Sequence, residues 1–301
     1  GQSAIDEIIV TANKRDQKLS DVPMSVAALT GENLESQGVT DLQSLSLAVP
    51  GLLVQESGSF QRRISIRGIG NFFGNSSLVG LYIDEASVAS IPSNQIDLRV
   101  LDLERVEVLK GPQGTLYGEG SVGGTIRYIT KDPQMDNVAG MMSVNGSSTK
   151  GGDTSQEFRT ILNVPISETM GLRIAGQYIN SGGWIDQPGL SKKDVNDYEL
   201  TNIRTKLLWQ PSDHLKVNAS VIIHRNDTGA QNAAEDENGN LQEAFGVSLP
   251  QSSEDNYDQL NLTVQYDVAD IRLVSSTSYL DTNRRRLNGA SQCCFSTGTA
   301  D

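Results

Sequence analysis

Between residues 138 and 281, apolar and polar side chains alternate in seven segments: 138–148, 156–166, 171–180, 198–209, 214–224, 259–268 and 271–281. In 214–224, Leu215, Val217, Ala219, Val221 and Ile223 alternate with Lys216, Asn218 and Ser220. In 198–209, Ile203, Leu207 and Trp209 stand opposite Arg204 and Lys206. A period of two puts each set on its own face of a β-strand. The connections alternate too. Those at 167–170, 211–213 and 269–270 are tight, those at 181–197 and 225–258 are long and polar, and 149–155 is short but Gly-rich. A soluble antiparallel sandwich also alternates, but it has no reason to gather its short turns at one end. A transmembrane barrel of the bacterial outer membrane does, with the short turns periplasmic. Trp209, Tyr266 and Tyr178 fall near strand ends, where interfacial aromatics belong.

Composition fits that reading and narrows the alternatives. No window of 18 residues is apolar, so no transmembrane helix is expected. The 24 Lys and Arg against 37 Asp and Glu give a net charge of −13 with no basic block, which argues against a nucleic-acid partner. The two cysteines, Cys293 and Cys294, are adjacent, and the only histidines are His214 and His224. Neither set has the ligand spacing of a zinc site. No catalytic constellation, cofactor or metal site is expected. The acidic loop at 225–258 carries Asp227, Glu235, Asp236, Glu237, Glu243, Glu254, Asp255 and Asp258. An EF-hand register fails there, because Phe245 falls at position 12. The loop reads as a solvated surface run, with bridging divalent ions as an alternative.

The first 135 residues differ. Asp6, Glu7, Ile8, Ile9, Val10, Thr11 and Ala12 form an isolated β-prone run. Such a run is either open to strand addition by another protein or an ordinary N-terminal strand. Thr30 can cap a short helix, and Thr40 with Gln43 suits a capping box opening a second. Short strands are expected at 52–55, 63–67, 79–84 and 101–110. Gly118, Gly120 and Gly123 make a Gly-x-Gly-x-x-Gly, but a β run at 125–130 follows where a dinucleotide site needs a helix. Those glycines read as positions of positive φ or close backbone approach.

Five motifs occur in order: Val22-Pro23-Met24-Ser25-Val26, Ile66-Arg67-Gly68, Tyr82-Ile83-Asp84-Glu85, a long run from Glu104 to Gly118, and Gly123-Gly124-Thr125-Ile126-Arg127-Tyr128-Ile129-Thr130-Lys131. Together they resemble the N-terminal part of a TonB-dependent outer-membrane receptor. The long run contains Glu104, Arg105, Glu107, Lys110, Gly111, Pro112, Tyr117 and Gly118. Three positions depart from the family pattern: Glu85 replaces a Gly, Arg127 an Asn, and Lys110 a commoner Arg.

The resemblance implies an α+β plug domain at 22–135, preceded by a TonB box and linker at 1–21. It also implies a transmembrane antiparallel β-barrel from 136, of which about seven of about 22 strands are present. The remaining strands are then expected beyond residue 301. It implies energised transport of a scarce solute, most simply a ferric siderophore or other iron complex, with an oligosaccharide or other nutrient as one alternative; the residues alone leave, from a different class, a surface β-sandwich binding protein as another. The implied partners are the TonB energy-transducing protein, the solute, and outer-membrane lipid and lipopolysaccharide. Residues 6–12 become the TonB-binding segment, and Asn71, Phe72, Phe73 and Asn75 candidate solute contacts. Arg67, Glu104, Arg105, Glu107 and Lys110 are expected either to meet charges on the barrel wall or to face water inside it.

Overall fold

The computed structural model describes residues 8–56, 62–70, 77–88, 95–118, 120–230, 233–235, 241–243, 251–269 and 271–287. The chain opens with an antiparallel hairpin of β1 (Ile9–Val10) and β2 (Gln17–Lys18). β3 (Val26–Thr30) runs into α1 (Gly31–Ser36), where the Thr30 hydroxyl accepts the Asn33 amide at 3.2 Å. α2 (Leu42–Ala48) starts one residue later than expected. Its cap is Asp41, whose carboxylate accepts the Ser44 amide at 2.8 Å, while the Ser44 hydroxyl accepts the Asp41 amide at 3.1 Å. Thr40 and Asp41 are both good cap residues, and the carboxylate takes the position.

β4 (Leu52–Glu56) and β5 (Arg62–Ile66) form a separate ribbon. β6 (Val79–Ile83), β7 (Ala86–Ser87), β8 (Leu103–Lys110), a helical turn α3 (Gly114–Tyr117) and β9 (Gly124–Thr130) follow. With β3 the strands make one sheet in the order β3-β8-β9-β6-β7, antiparallel except between β6 and β9. The Gly-rich run permits close approach: Gly124 has φ +148°, and a Cβ there would lie 2.2 Å from the Leu109 carbonyl oxygen. A strand follows it, as expected. Leu34, Leu42 and Leu45 from the helices pack on Ile66, Leu81, Val106 and Ile126.

The second part is a wall of β10 (Ala139–Ser148), β11 (Thr154–Ser167), β12 (Met170–Ser181), β13 (Tyr198–Ser212) and β14 (Leu215–Thr228). A small hairpin, β15 (Ala233–Glu235) and β16 (Leu241–Glu243), precedes β17 (Ser252–Val268) and β18 (Ile271–Leu287). All seven alternating segments are strands. They form one continuous antiparallel sheet in chain order, not the two packed layers of a sandwich. The outward positions of β14, from Leu215 to Ile223, cover about 27 Å of strand, or roughly 21 Å along a barrel axis at the usual tilt of ~40°. That is close to the ~25 Å apolar band of an outer-membrane wall.

The other face is polar and buried, with Gln177, Asn202, Arg204, Lys206, His224, Asn226, Gln259 and Asn261 turned towards the N-terminal domain. Ile222 and Tyr257 are exceptions, since they join the core of that domain. The reading of 225–258 as one solvated loop needs correction. β14 runs to Thr228 and β17 begins at Ser252. Asp255 is fully buried on the inner face, 2.8 Å from Arg284.

Candidate functional site

The isolated β-prone run is not a free edge in this structure. Ile9 and Val10 pair with Lys18 and Gln17, and Val10 and Ala12 have no exposed surface. They pack with Leu109, Tyr117 and Val22, alongside Ile8, Leu19 and Met24. The hydrophobic alternation of the segment is therefore satisfied within its own domain. Asp6 and Glu7 lie outside the described residues.

Thr11, between the two buried side chains, is held by three charged groups. Its amide donates to Glu107 Oε1 at 2.9 Å. Its carbonyl accepts Arg127 Nη1 at 2.9 Å, and its hydroxyl accepts Arg127 Nη1 at 2.8 Å and Arg105 Nη2 at 3.2 Å. The Tyr117 hydroxyl donates to the Ala12 carbonyl at 2.8 Å. Glu107 and Arg127 are themselves buried and paired at 2.7 Å, and Arg105 Nε lies 2.8 Å from Glu107. Burial alone would raise the Glu107 pKa. Arg127, the Thr11 amide and Arg105 outweigh it and hold the carboxyl below its ordinary range.

One turn further, Lys14 takes a left-handed φ of +59°. Its ammonium pairs with Glu85 and lies 4.4 Å from the centre of the Tyr117 ring. Burial lowers the Lys14 pKa, with the nearby Glu85 opposing. Glu85 also takes Arg127 Nη2 at 2.9 Å.

The domain meets the wall through a different set of charges. Asp102 accepts Arg173 Nε at 2.7 Å and Nη2 at 2.6 Å, and its main-chain carbonyl accepts Arg204 at 2.8 Å. Asp102 has a left-handed φ of +51° at the bulge that opens β8. Asp tolerates that conformation better than most residues. Asp84, also left-handed at φ +50°, accepts the Thr130 amide at 2.8 Å and lies 3.2 Å from Lys206. Asp132 pairs with Lys206 at 2.7 Å and Lys216 at 2.6 Å. Burial opposes ionisation of Asp132, but the two ammonium groups prevail and lower its pKa. With reversed sign, Arg62 lies 3.8 Å from Asp255 of the wall. A polar cavity of about 340 Å³ separates the two parts between Lys14, Glu85, Arg127, Lys206, Lys216 and Arg272.

None of the five residues expected at the wall pairs with it among the described residues. Arg67 donates to the Ser25 hydroxyl at 2.7 Å, and Lys110 to the Pro50 carbonyl at 2.8 Å. Glu104 pairs with Arg105. Arg105 and Glu107 neither meet the wall nor face bulk water; they hold the N-terminal segment. Arg67 and Gly68 form a left-handed turn at φ +52° and +78°, and Gly111 and Gly118 also have positive φ. Gly123 lies close enough to Ile69 that a Cβ would sit 2.8 Å from its carbonyl oxygen. Pro112 continues the exit from β8, and Tyr117 is buried. Asn71, Phe72, Phe73 and Asn75 lie outside the described residues.

The signal for the wall contacts was present but unread. Arg173, Arg204, Lys206 and Lys216 alternate onto the inner face of the sheet, and buried cations need partners.

The family described as TonB-dependent Receptor Plug Domain matches residues 18–125. The chain is 27% identical over 245 residues to the iron-regulated outer membrane virulence protein of Vibrio cholerae, covering 76% of this chain and 36% of that protein. It is 27% identical over 248 residues to the vitamin B12 transporter of Vibrio vulnificus, covering 77% and 38%. The pesticin receptor of Yersinia pestis is 35% identical over 130 residues, covering 42% and 19%. The chain thus spans little more than a third of the curated relatives that match most of it. Among solved structures, the ferric yersiniabactin uptake receptor of Yersinia pestis superposes with a TM-score of 0.74 at 21% identity, over 87% of this chain and 41% of that one.

Proposed function

We propose, from its similarity to TonB-dependent outer-membrane receptors, that this chain supplies the energy-coupling segment, plug and opening wall strands of a receptor that actively imports a scarce solute across the bacterial outer membrane. Ferric siderophore or another iron complex is the favoured solute, on the strength of relatives named for iron regulation and ferrioxamine. A relative named for vitamin B12 matches at the same identity and supports a second cargo carried by the same mechanism.

One observation carries the reading. The hairpin holding residues 8–18 sits at the end of the wall where the tight turns lie. Asp16 is 3.2 Å from Arg272, beside the β17–β18 turn. Short turns face the periplasm in outer-membrane barrels, which supports reading the segment as the one an inner-membrane partner engages. Because Val10 and Ala12 are buried, pairing of that partner along this strand requires the segment to undock first. The outer membrane offers no nucleotide to drive release, and a pull on residues 6–12 would transmit work into β3, an edge strand of the plug sheet.

Deleting residues 6–12 from the complete receptor should abolish uptake of radiolabelled solute while leaving binding at the cell surface intact. Uptake at the wild-type rate would sink the mechanism. Growth of a deletion strain on siderophore-iron against vitamin B12 as limiting nutrient separates the two cargoes.

A further inference from the structure

Two of the three departures from the family pattern, Glu85 and Arg127, touch each other. They are 42 residues apart in sequence, and their side chains pair at 2.9 Å. They are also joined to the N-terminal segment. Arg127 holds the carbonyl and hydroxyl of Thr11, and Glu85 pairs with Lys14.

Charge balance explains why they come together. With Asn at 127 and Gly at 85, the buried group would be Arg105 with Glu107, which is already neutral. Arg105 has a second partner in the half-exposed Glu104, so adding Arg127 alone would leave its guanidinium with a share of Glu107 as its one carboxylate. Glu85 supplies the second carboxylate, and it faces the turn where Lys14 can reach it. A buried cation without its partner is costly, so each departure needs the other.

We infer that Glu85 and Arg127 form a latch that positions the energy-coupling segment in its docked state and sets how readily it is released. The inference rests on reading residues 6–12 as that segment. Undocking breaks the bonds of Arg127, Arg105 and Glu107 to Thr11, of Glu85 to Lys14 and of Tyr117 to Ala12, and uncovers Leu109 and Tyr117, while the core around Leu34, Leu42 and Leu45 stays closed. Glu85 and Arg127 touch no solute. They act through Thr11 and Lys14.

The test uses the complete receptor in outer-membrane vesicles, with Cys293 and Cys294 replaced by serine and Ala12→Cys as a reporter. Maleimide labelling at residue 12 reports undocking without any need for transport, so its outcome is independent of the cargo. Glu85→Gly and Arg127→Asn should each raise the labelling rate at least about tenfold, corresponding to about 1.4 kcal/mol. The double variant should fall short of the product of the two, because the Glu85–Arg127 pair that holds both side chains in place is already lost in either single variant. A second reporter, Leu45→Cys in the plug core, should stay unlabelled throughout. Unchanged labelling at residue 12, or single effects that multiply in the double variant, would overturn the latch. Labelling of Leu45→Cys would also overturn it, since the pair would then hold the whole plug rather than the segment.

Discussion

Glu107 has no exposed surface and lies between two guanidinium groups, both of which also bond Thr11. The carboxylate is the acceptor that fixes the Thr11 amide, so docking of the segment depends on its charge. Its docked pKa is depressed below the ordinary value of 4.5. Undocking removes the Thr11 amide, one of the three groups that lower it, so the docked state is favoured while the carboxyl is ionised and the benefit fades as pH falls through the docked value. Facing it are Arg105, Arg127 and Tyr117, with Lys14, Glu85 and Glu104 next in line. The arginines stay charged throughout, and Tyr117, whose pKa is raised by burial, stays neutral. Labelling of the residue-12 reporter should therefore be flat through neutral pH and rise only in acid, as Glu107 is protonated. A rise centred near neutrality would assign docking to another group.

At the scale of elements, the wall and the plug are joined where plug turns meet inward cations of the strands. Asp102 is 1% exposed and grips Arg173 in bidentate fashion. Asp102→Asn keeps the left-handed turn, since Asn also tolerates it, but it leaves Arg173 and Arg204 without their carboxylate. Removing one partner of a buried pair costs about 3–5 kcal/mol. The plug of the complete receptor should then lose its fluorescence-detected order at a lower urea concentration, while heat-resistant migration of the barrel is unchanged. Equal urea midpoints would show that the contact contributes nothing. The strands themselves were legible in the sequence because period-two alternation is a local signal: the Leu215 to Ile223 series is read without knowing any partner. The start of α1 was legible for the same reason. The cap of α2 was missed by one residue because Thr40 and Asp41 are both competent and Gln43 and Ser44 both can close a box. The wall contacts were not legible as pairs. Asp84, Asp102 and Asp132 look like turn residues, and only the fold brings Asp102 to residues 173 and 204.

For the whole molecule, the seven wall strands form an open sheet among the described residues, with β10 and β18 as its edges. Open edges are not tolerated in a bilayer, where each unpaired backbone group lacks water. The 301-residue chain expressed alone should partition into aggregates or a soluble plug. It should show no heat-resistant band on a semi-native gel, whereas the complete receptor should show one. A heat-resistant band from the isolated chain would mean that it closes a barrel by itself or by association.

The two wall residues inside the plug core, Ile222 on β14 and Tyr257 on β17, bear on how such a molecule is built. They are 5% and 3% exposed, and they pack into a core otherwise made of plug side chains. An empty cylinder would leave both in the watery lumen. The plug takes both side chains out of that water, so burial in the filling stabilises the two strands that carry them. Cylinders made without the plug should therefore be looser at β14 and β17 than elsewhere.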